Sequence, residues 1–434
     1  MASSDVLGGA ARRAVGCPGV VSGRHRGNRQ PCLGRSLWRR TAVTAGPGRL
    51  DFTHIPRLED RTSGVKPSRW RWRASVGLLG VAVAFVIYPI TEGPNDIINS
   101  DWPAFATGAR LVVENPSHLY DLEQQKRVEF EVTGGKTLVT LGINGILPFL
   151  APAWVAVIAV PFDLLGTDLG GRVWILFGLT CLALGYYLAT RPRPPTVVLP
   201  AFASLPTALM LLNAQLDGFV VLGIGAALAL RNRHYVAGLA LGLTLMKPQL
   251  VLPLGLALVL ARRWRALAGW ATAGAVLWAS VAVLNPRWVF DWLAPTGTTI
   301  TPGSREVDLP HLGTLLPSAW QLIAVAGLTL VTVAGVAIVA RRCRSGFRGQ
   351  AAILIAGGVL AAPHALPADL VLVGLALAIW GSARWHDWLL LSAGAAIAAF
   401  APVPWPSVVG VLLIGYLCWR ISGWLPARAP ASAG

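Results

Sequence analysis

Charge is scarce in this sequence: 13% of its 434 residues are Asp, Glu, Lys or Arg, and bases outnumber acids 37 to 20. Soluble domains carry about 25% charged residues, so a chain whose main solvent is water is excluded. Cysteine is sparse as well. Cys17, Cys32, Cys181, Cys343 and Cys418 show no C-x-x-C or other ligand-like spacing, which argues against a disulfide framework or a zinc site. Also missing are G-x-x-x-x-G-K-[ST], H-E-x-x-H, G-x-S-x-G and D-x-D, so a cytosolic nucleotide substrate is not expected. Neither is a cleaved signal peptide, because no short apolar core with a small-residue cleavage site precedes the first long apolar run.

Apolar residues supply what charge does not. They make up 54% of the chain, give a mean hydropathy of +0.57, and cluster in runs of about 15 to 22, the length that about 30 Å of hydrocarbon demands of a helix. The expectation is an all-α integral membrane protein, a polytopic bundle of about 11 to 13 transmembrane segments. The net charge of +17 is local, since residues 1–73 hold 15 Lys/Arg against 4 Asp/Glu. That stretch, rich in Gly, Ser and Pro, reads as a basic disordered cytoplasmic tail; membrane lipids are its natural contact, and no nucleic-acid role is expected. Residues 74–425 form the membrane domain, and 426–434 a second disordered tail.

Span one begins behind Trp70-Arg71-Trp72-Arg73, a belt that sets its start on the cytoplasmic side. The long segment 92–137, with eight acids against four bases, is then an extracytoplasmic loop. Cytoplasmic turns are marked by Arg231/Arg233, Arg262-Arg263-Trp264-Arg265, Arg341 to Arg348 and Arg384, and the connector with Asp291, Glu306 and Asp308 is external. Counting both 145–165 and 171–190 as full spans strands Arg191-Pro192-Arg193 on the external side, so one of these runs is expected to be re-entrant. Regions 235–261 and 350–382 leave and return to the same side, each broken by proline at its middle, and read as hairpins with polar tips near the external surface.

Ionisable groups at membrane depth are costly and mark candidate sites. Asp101, in Asn99-Ser100-Asp101-Trp102-Pro103, sits at the external interface beside aromatic residues; it is either a general base or one loop carboxylate among eight. Lys247 in Met246-Lys247-Pro248-Gln249 stands in a long apolar stretch, and a buried ammonium needs an anion. A phosphate on the helix N-terminus opened by Pro248 would serve, whereas a lysine snorkelling to the surface needs none. In the second tip His364 is a phosphate donor, an acid/base or a structural histidine, and Asp369 is a catalytic group or a helix cap. Asn213-Ala214-Gln215 with Asp217 makes a further polar break, offering amides to a sugar or phosphate or merely turning the chain.

The order of these motifs resembles glycosyltransferase family 87. The likeness runs from the early aspartate through Asn115-Pro116-Ser117-His118-Leu119-Tyr120-Asp121, the Asn-x-Gln break, Ala237-Gly238-Leu239-Ala240-Leu241-Gly242-Leu243 leading into Lys247-Pro248, and late Ala362-Pro363-His364 with Asp369. The resemblance implies a GT-C-type fold and a hexosyltransferase at the outer face of the cell membrane. Its donor would be a polyprenyl phosphate carrying one sugar, mannose or another hexose or pentose, and its acceptor a hydroxyl of a glycolipid or glycan, with inversion. It puts Asp101 at the general-base position and gives Asn213, Gln215, Lys247, His364 and Asp369 to substrate binding; no metal or cofactor enters that scheme. Two other classes fit the bare hydropathy, a secondary transporter with broken helices and a non-catalytic envelope scaffold.

Overall fold

The computed structural model of the chain describes residues 69–136, 147–296, 318–402 and 405–423. The expected tails over 1–73 and 426–434 lie almost wholly outside these residues, as do Glu306 and Asp308. Every regular element among the described residues is a helix.

In chain order these are α1 (Arg69–Thr91), α2 (Pro94–Ile98), α3 (Trp102–Glu114), α4 (Leu122–Val132), α5 (Ala153–Asp163), α6 (Thr167–Thr190), α7 (Leu199–Phe202), α8 (Leu205–Leu212) and α9 (Asp217–Ala229). After them come α10 (His234–Leu241), α11 (Leu252–Leu260), α12 (Trp264–Ala282), α13 (Trp288–Thr296), α14 (Ser318–Arg342), α15 (Gly346–Ala361), α16 (Val371–Trp380), α17 (Trp385–Phe400) and α18 (Trp405–Ser422). Short 3-10 turns flank the breaks at Pro195, Lys247 and Pro367.

Four helices are long and apolar enough to cross a bilayer: Trp72–Thr91, Thr167–Thr190, Ile323–Arg342 and Trp405–Ser422. The pair Pro195–Phe202 and Leu205–Leu212, bent by 65°, makes a fifth if counted as one span. The chain is an all-α polytopic membrane protein. The remaining apolar helices are shorter, 10–17 residues, because Pro206, Pro248 and Pro367 each remove a donor near the start of a helix or turn and interrupt the ladder. Backbone freed in this way is tolerated at membrane depth only where neighbouring helices cover it, and α15 and α16 are buried on nearly every face. By contrast α1 turns Val76, Leu79, Val83, Ile87 and Ile90 outward, the composition of a lipid-facing surface.

Two ends of the bundle can be told apart. At one, Arg172 donates to the carbonyls of Pro89 and Glu92 at 2.9 and 2.7 Å, Trp154 Nε1 to the Leu245 carbonyl at 3.1 Å, and Asn285 Nδ2 to the Pro116 carbonyl at 3.1 Å. At the other, Arg193 caps the C-terminus of α16 through the Ala378 and Ile379 carbonyls at 2.8 and 3.2 Å, and the Arg344 amide meets the Ser422 carbonyl at 3.0 Å. We call these the acidic end and the arginine end.

Helices α6 and α9 run parallel, Gly178 packed on Gly218 and Gly185 on Gly225, so close that a Cβ on Gly218 or Gly225 would overlap the facing glycine carbonyl. Small residues allow such backbone approach between membrane helices. Alanine at both positions is expected to cost about 1–3 kcal/mol each by overpacking. The check is thermal unfolding in detergent, with Gly77→Ala as control, since a Cβ there meets nothing within 4 Å.

The parallel pair bears on the stranded arginines. Among the described residues of run 145–165 the α-helix covers Ala153–Asp163, and its end stays at the acidic end, where Asp163 pairs with Arg110 of α3 at 3.2 Å. At 11 residues it is short for a crossing,, and α6 carries the chain from there to Arg191 and Arg193, at the same end as Arg231. Segment 92–137 also departs from a plain loop, because α2, α3 and α4 fill it. Asp121 caps α4 by accepting from the Glu123 and Gln124 amides at 3.0 and 3.3 Å, and Gln125 stitches it to Phe149 with a bond at 2.8 Å.

Glu129 of α4 receives the Leu147 amide on both carboxylate oxygens, at 3.0 and 3.2 Å. Burial raises its pKa to about 7 from an ordinary 4.5, the Leu147 bond opposing the shift. The unfolded chain therefore gives up this proton more readily than the folded one. Stability from this group is full below about pH 4.5 and lost as pH rises through about 7,. Thermal midpoints from about pH 5 to about pH 8 should fall with pH in the native protein and fall less in Glu129→Gln.

Candidate active site

Four separate stretches of chain meet at the acidic end. Asp101 precedes α3 and makes no capping bond to that helix. Asn213 ends α8, Gln215 and Asp217 open α9, Lys247 separates two 3-10 turns, and Asp369 lies in the turn before α16. Each polar residue falls at or beside a break between two helices or turns, and the hydrogen bonds between their side chains bring these breaks together.

The network starts at Asp101, whose backbone amide donates to the Asn213 carbonyl at 3.3 Å and whose Oδ2 accepts from Gln215 Nε2. Gln215 Oε1 accepts from Lys247 Nζ at 2.7 Å. The same ammonium donates to Asp217 Oδ2 at 3.1 Å and to Asp369 Oδ1 at 2.5 Å. An ammonium has three protons, and Gln215, Asp217 and Asp369 take one each. Asp217 is 0% exposed, Asp369 2%, Gln215 6% and Lys247 8%, so the charges are compensated inside the fold. Asp101 is the half-buried member at the edge of the cluster.

The anion that Lys247 requires is thus internal. The sequence suggested a ligand phosphate, and the pair of carboxylates supplies the charge instead. Asp369 serves as cap and counter-ion at once: Oδ2 accepts the Leu366 amide at 2.7 Å while Oδ1 faces Lys247. His364 is half-buried in the stretch between α15 and that turn. The Asn213 amide group caps its own helix on the Leu209 carbonyl at 3.0 Å.

Two residues that sequence reasoning did not single out hold the cluster. Asp217 appeared only as part of a polar break, although a carboxylate opening an apolar run was a legible sign. Trp174 gave no sign at all. Its Nε1 donates to the Ala214 carbonyl at 2.9 Å, fixing a turn where Ala214 takes φ +51°, a left-handed conformation costing about 1 kcal/mol. Its ring packs on Trp102, Phe105 and Phe219 with centroids 5.7, 5.4 and 5.5 Å away, so one indole supports both the Asp101 segment and the Gln215 turn. Among the described residues no three His, Cys, Asp or Glu side chains are arranged to hold a metal.

A half-buried carboxylate held by an amide, beside an aromatic wall, can take a proton from a bound hydroxyl. Comparison with known proteins adds a family. The sequence model described as glycosyltransferase family 87 matches residues 149–367, just over half of the chain, covering Asn213 to His364 and leaving Asp101 and Asp369 outside. No curated protein and no solved structure matches the chain. The match includes two of the four stretches that build the ion cluster, those of Gln215 with Asp217 and of Lys247, and the chain belongs to glycosyltransferase family 87, as a membrane glycosyltransferase.

Proposed function

We propose that this enzyme transfers one sugar from a polyprenyl phosphate to a hydroxyl of a glycolipid or glycan acceptor, at the extracytoplasmic face of the cell membrane. The observation that carries the reading is the position of Asp101, the most open carboxylate of a cluster whose other charges are spent on one another. The acidic end faces outward in this reading because the opposite end gathers the arginines, the sign of cytoplasmic turns; both described termini of the bundle then lie inside. Nucleotide sugars are absent outside, which favours a lipid-linked donor.

In the reaction Asp101 takes the proton of the acceptor hydroxyl, the oxygen attacks the anomeric carbon from the face opposite the phosphate, and the sugar–phosphate C–O bond breaks with its electron pair leaving on phosphate. Inversion follows from the single displacement. Gln215 orients Asp101, Lys247 orients Gln215, and Asp369 with Asp217 fixes Lys247. Asn213 and His364 contact the donor, with His364 beside the leaving phosphate.

Purified protein offered a membrane lipid extract containing polyprenyl-phosphate sugars should glycosylate an endogenous acceptor, and should give no product when nucleotide sugars replace the extract. Transfer from nucleotide sugars would overturn the donor class. No transfer, together with sugar flux into proteoliposomes, would move the protein to the transporters.

A further inference from the structure

Helix α12 has 19 residues, about 28 Å of helix, and its last residues lead to the acidic end. There Asn285 Nδ2 donates to the Pro116 carbonyl at 3.1 Å and to Asp291 Oδ2 at 2.9 Å, Pro286 has no amide with which to continue the ladder, and α13 begins at Trp288. One side of α13 is fixed to the bundle. Trp292 Nε1 donates to the Leu150 carbonyl at 2.8 Å, and the Trp288 ring meets that of Trp154 edge-on with centroids 5.3 Å apart.

The other side of α13 is apolar. Helical residues three and four apart share a face, so Trp288 and Trp292 take the bundle side and Phe290, Leu293 and Ala294 the opposite one. Phe290 is 71% exposed, and Val283, at the end of α12, is 83% exposed. A helix bathed in water turns polar residues outward; α13 instead turns Asp291 back to Asn285. Its apolar face continues the outward surface of α12, where Val276 and Trp278 are exposed. Because α13 starts where α12 ends, this face lies at the edge of the hydrocarbon, the level at which tryptophan belts collect. Residues Trp288–Thr296 contain no Lys or Arg, so an anionic headgroup has nothing there to pair with.

From these features we propose that α13 rests in the membrane interface at the acidic end, with Phe290 and the neighbouring Val283 among the uppermost acyl carbons of that leaflet. The partner of this face is the lipid surface, and zwitterionic lipid suffices. The inference goes beyond sugar transfer and stands whatever the donor is. On its bundle side α13 connects to the ion cluster: Trp288 meets Trp154, and Trp154 Nε1 holds the Leu245 carbonyl at 3.1 Å, two residues before Lys247. The helix thereby ties the level of the Lys247 turn to that of the leaflet surface.

The test is depth-dependent fluorescence quenching of the full chain in phosphatidylcholine vesicles. Cys17→Ser and Cys32→Ser remove two cysteines, and Cys181, Cys343 and Cys418 are buried, so that Phe290→Cys, Val283→Cys, Leu79→Cys and Lys126→Cys each supply the thiol that takes an environment-sensitive dye. All four positions are exposed, and none of these substitutions opens the core. Dye at Phe290 and at Val283 should be quenched about twofold more by a nitroxide near the top of the acyl chain than by one near its methyl end. Leu79, near the middle of α1, should show the reverse order, and Lys126, on α4, should respond to aqueous iodide and to neither nitroxide. The proposal fails if Phe290 follows Leu79, which would put α13 deep in hydrocarbon, or follows Lys126, which would put it in water. It fails equally if Phe290 is shielded from all three quenchers, since another part of the chain or a second copy would then cover the face.

Discussion

Asp101→Asn is expected to lower the turnover of sugar transfer by about 10²–10⁴-fold, the contribution of a positioned general base, while leaving the protein folded. Asparagine keeps the shape, and its carbonyl oxygen still accepts the bond that Gln215 Nε2 makes to Asp101. The side chain makes no capping bond to α3, so helix stability does not depend on the carboxylate. What disappears is the capacity to hold the acceptor's proton. KM for the lipid donor should change little, because the donor binds without that proton transfer. A thermal midpoint close to native, with transfer lost, supports the assignment; unchanged transfer removes Asp101 as the base and leaves it a structural partner of Gln215.

How much of this was visible beforehand differs between fold and site. Helical membrane class follows from solvent: apolar runs of spanning length in a chain this poor in charge have few other solutions. The arginine turns gather at one end of the bundle, and the inconsistency at Arg191-Pro192-Arg193 pointed to a run shorter than a span. Which run that was depends on Asp163 reaching Arg110 at 3.2 Å, a contact between residues far apart in sequence. The helices of segment 92–137 were hidden because their periodicity is carried by Trp102, Phe105, Val112 and Val128 burying against distant partners, whereas their acids read as loop. At the site, Asp101, Gln215, Lys247 and Asp369 could each be picked out as polar residues in apolar surroundings. Their pairing could not, because depth and facing across four breaks are tertiary facts. The same holds for Trp174, one of 18 tryptophans, whose importance lies in what it touches.

The second large effect concerns Lys247. Removing its charge, as in Lys247→Met, leaves two carboxylates, 0% and 2% exposed, facing each other without a cation. Breaking a buried pair in this way costs about 3–5 kcal/mol, so a strongly lowered midpoint in detergent is expected. If the penalty is electrostatic, adding Asp217→Asn should recover part of it by deleting one buried charge; no recovery would mean that Lys247 stabilises through packing alone. The activity arm separates two roles. Lys247 donates to Gln215 Oε1 at 2.7 Å, and without that bond the Gln215 amide is free to rotate its Nε2 away from Asp101. When Lys247 acts through Gln215, the loss of turnover in Lys247→Met and in Gln215→Leu should not add in the double variant, since residues of one network are coupled by about 0.5–3 kcal/mol. Additive losses, with the Lys247 share appearing in donor KM, would instead mean that the ammonium leaves its carboxylates to meet the donor phosphate, and the positioning role would fall.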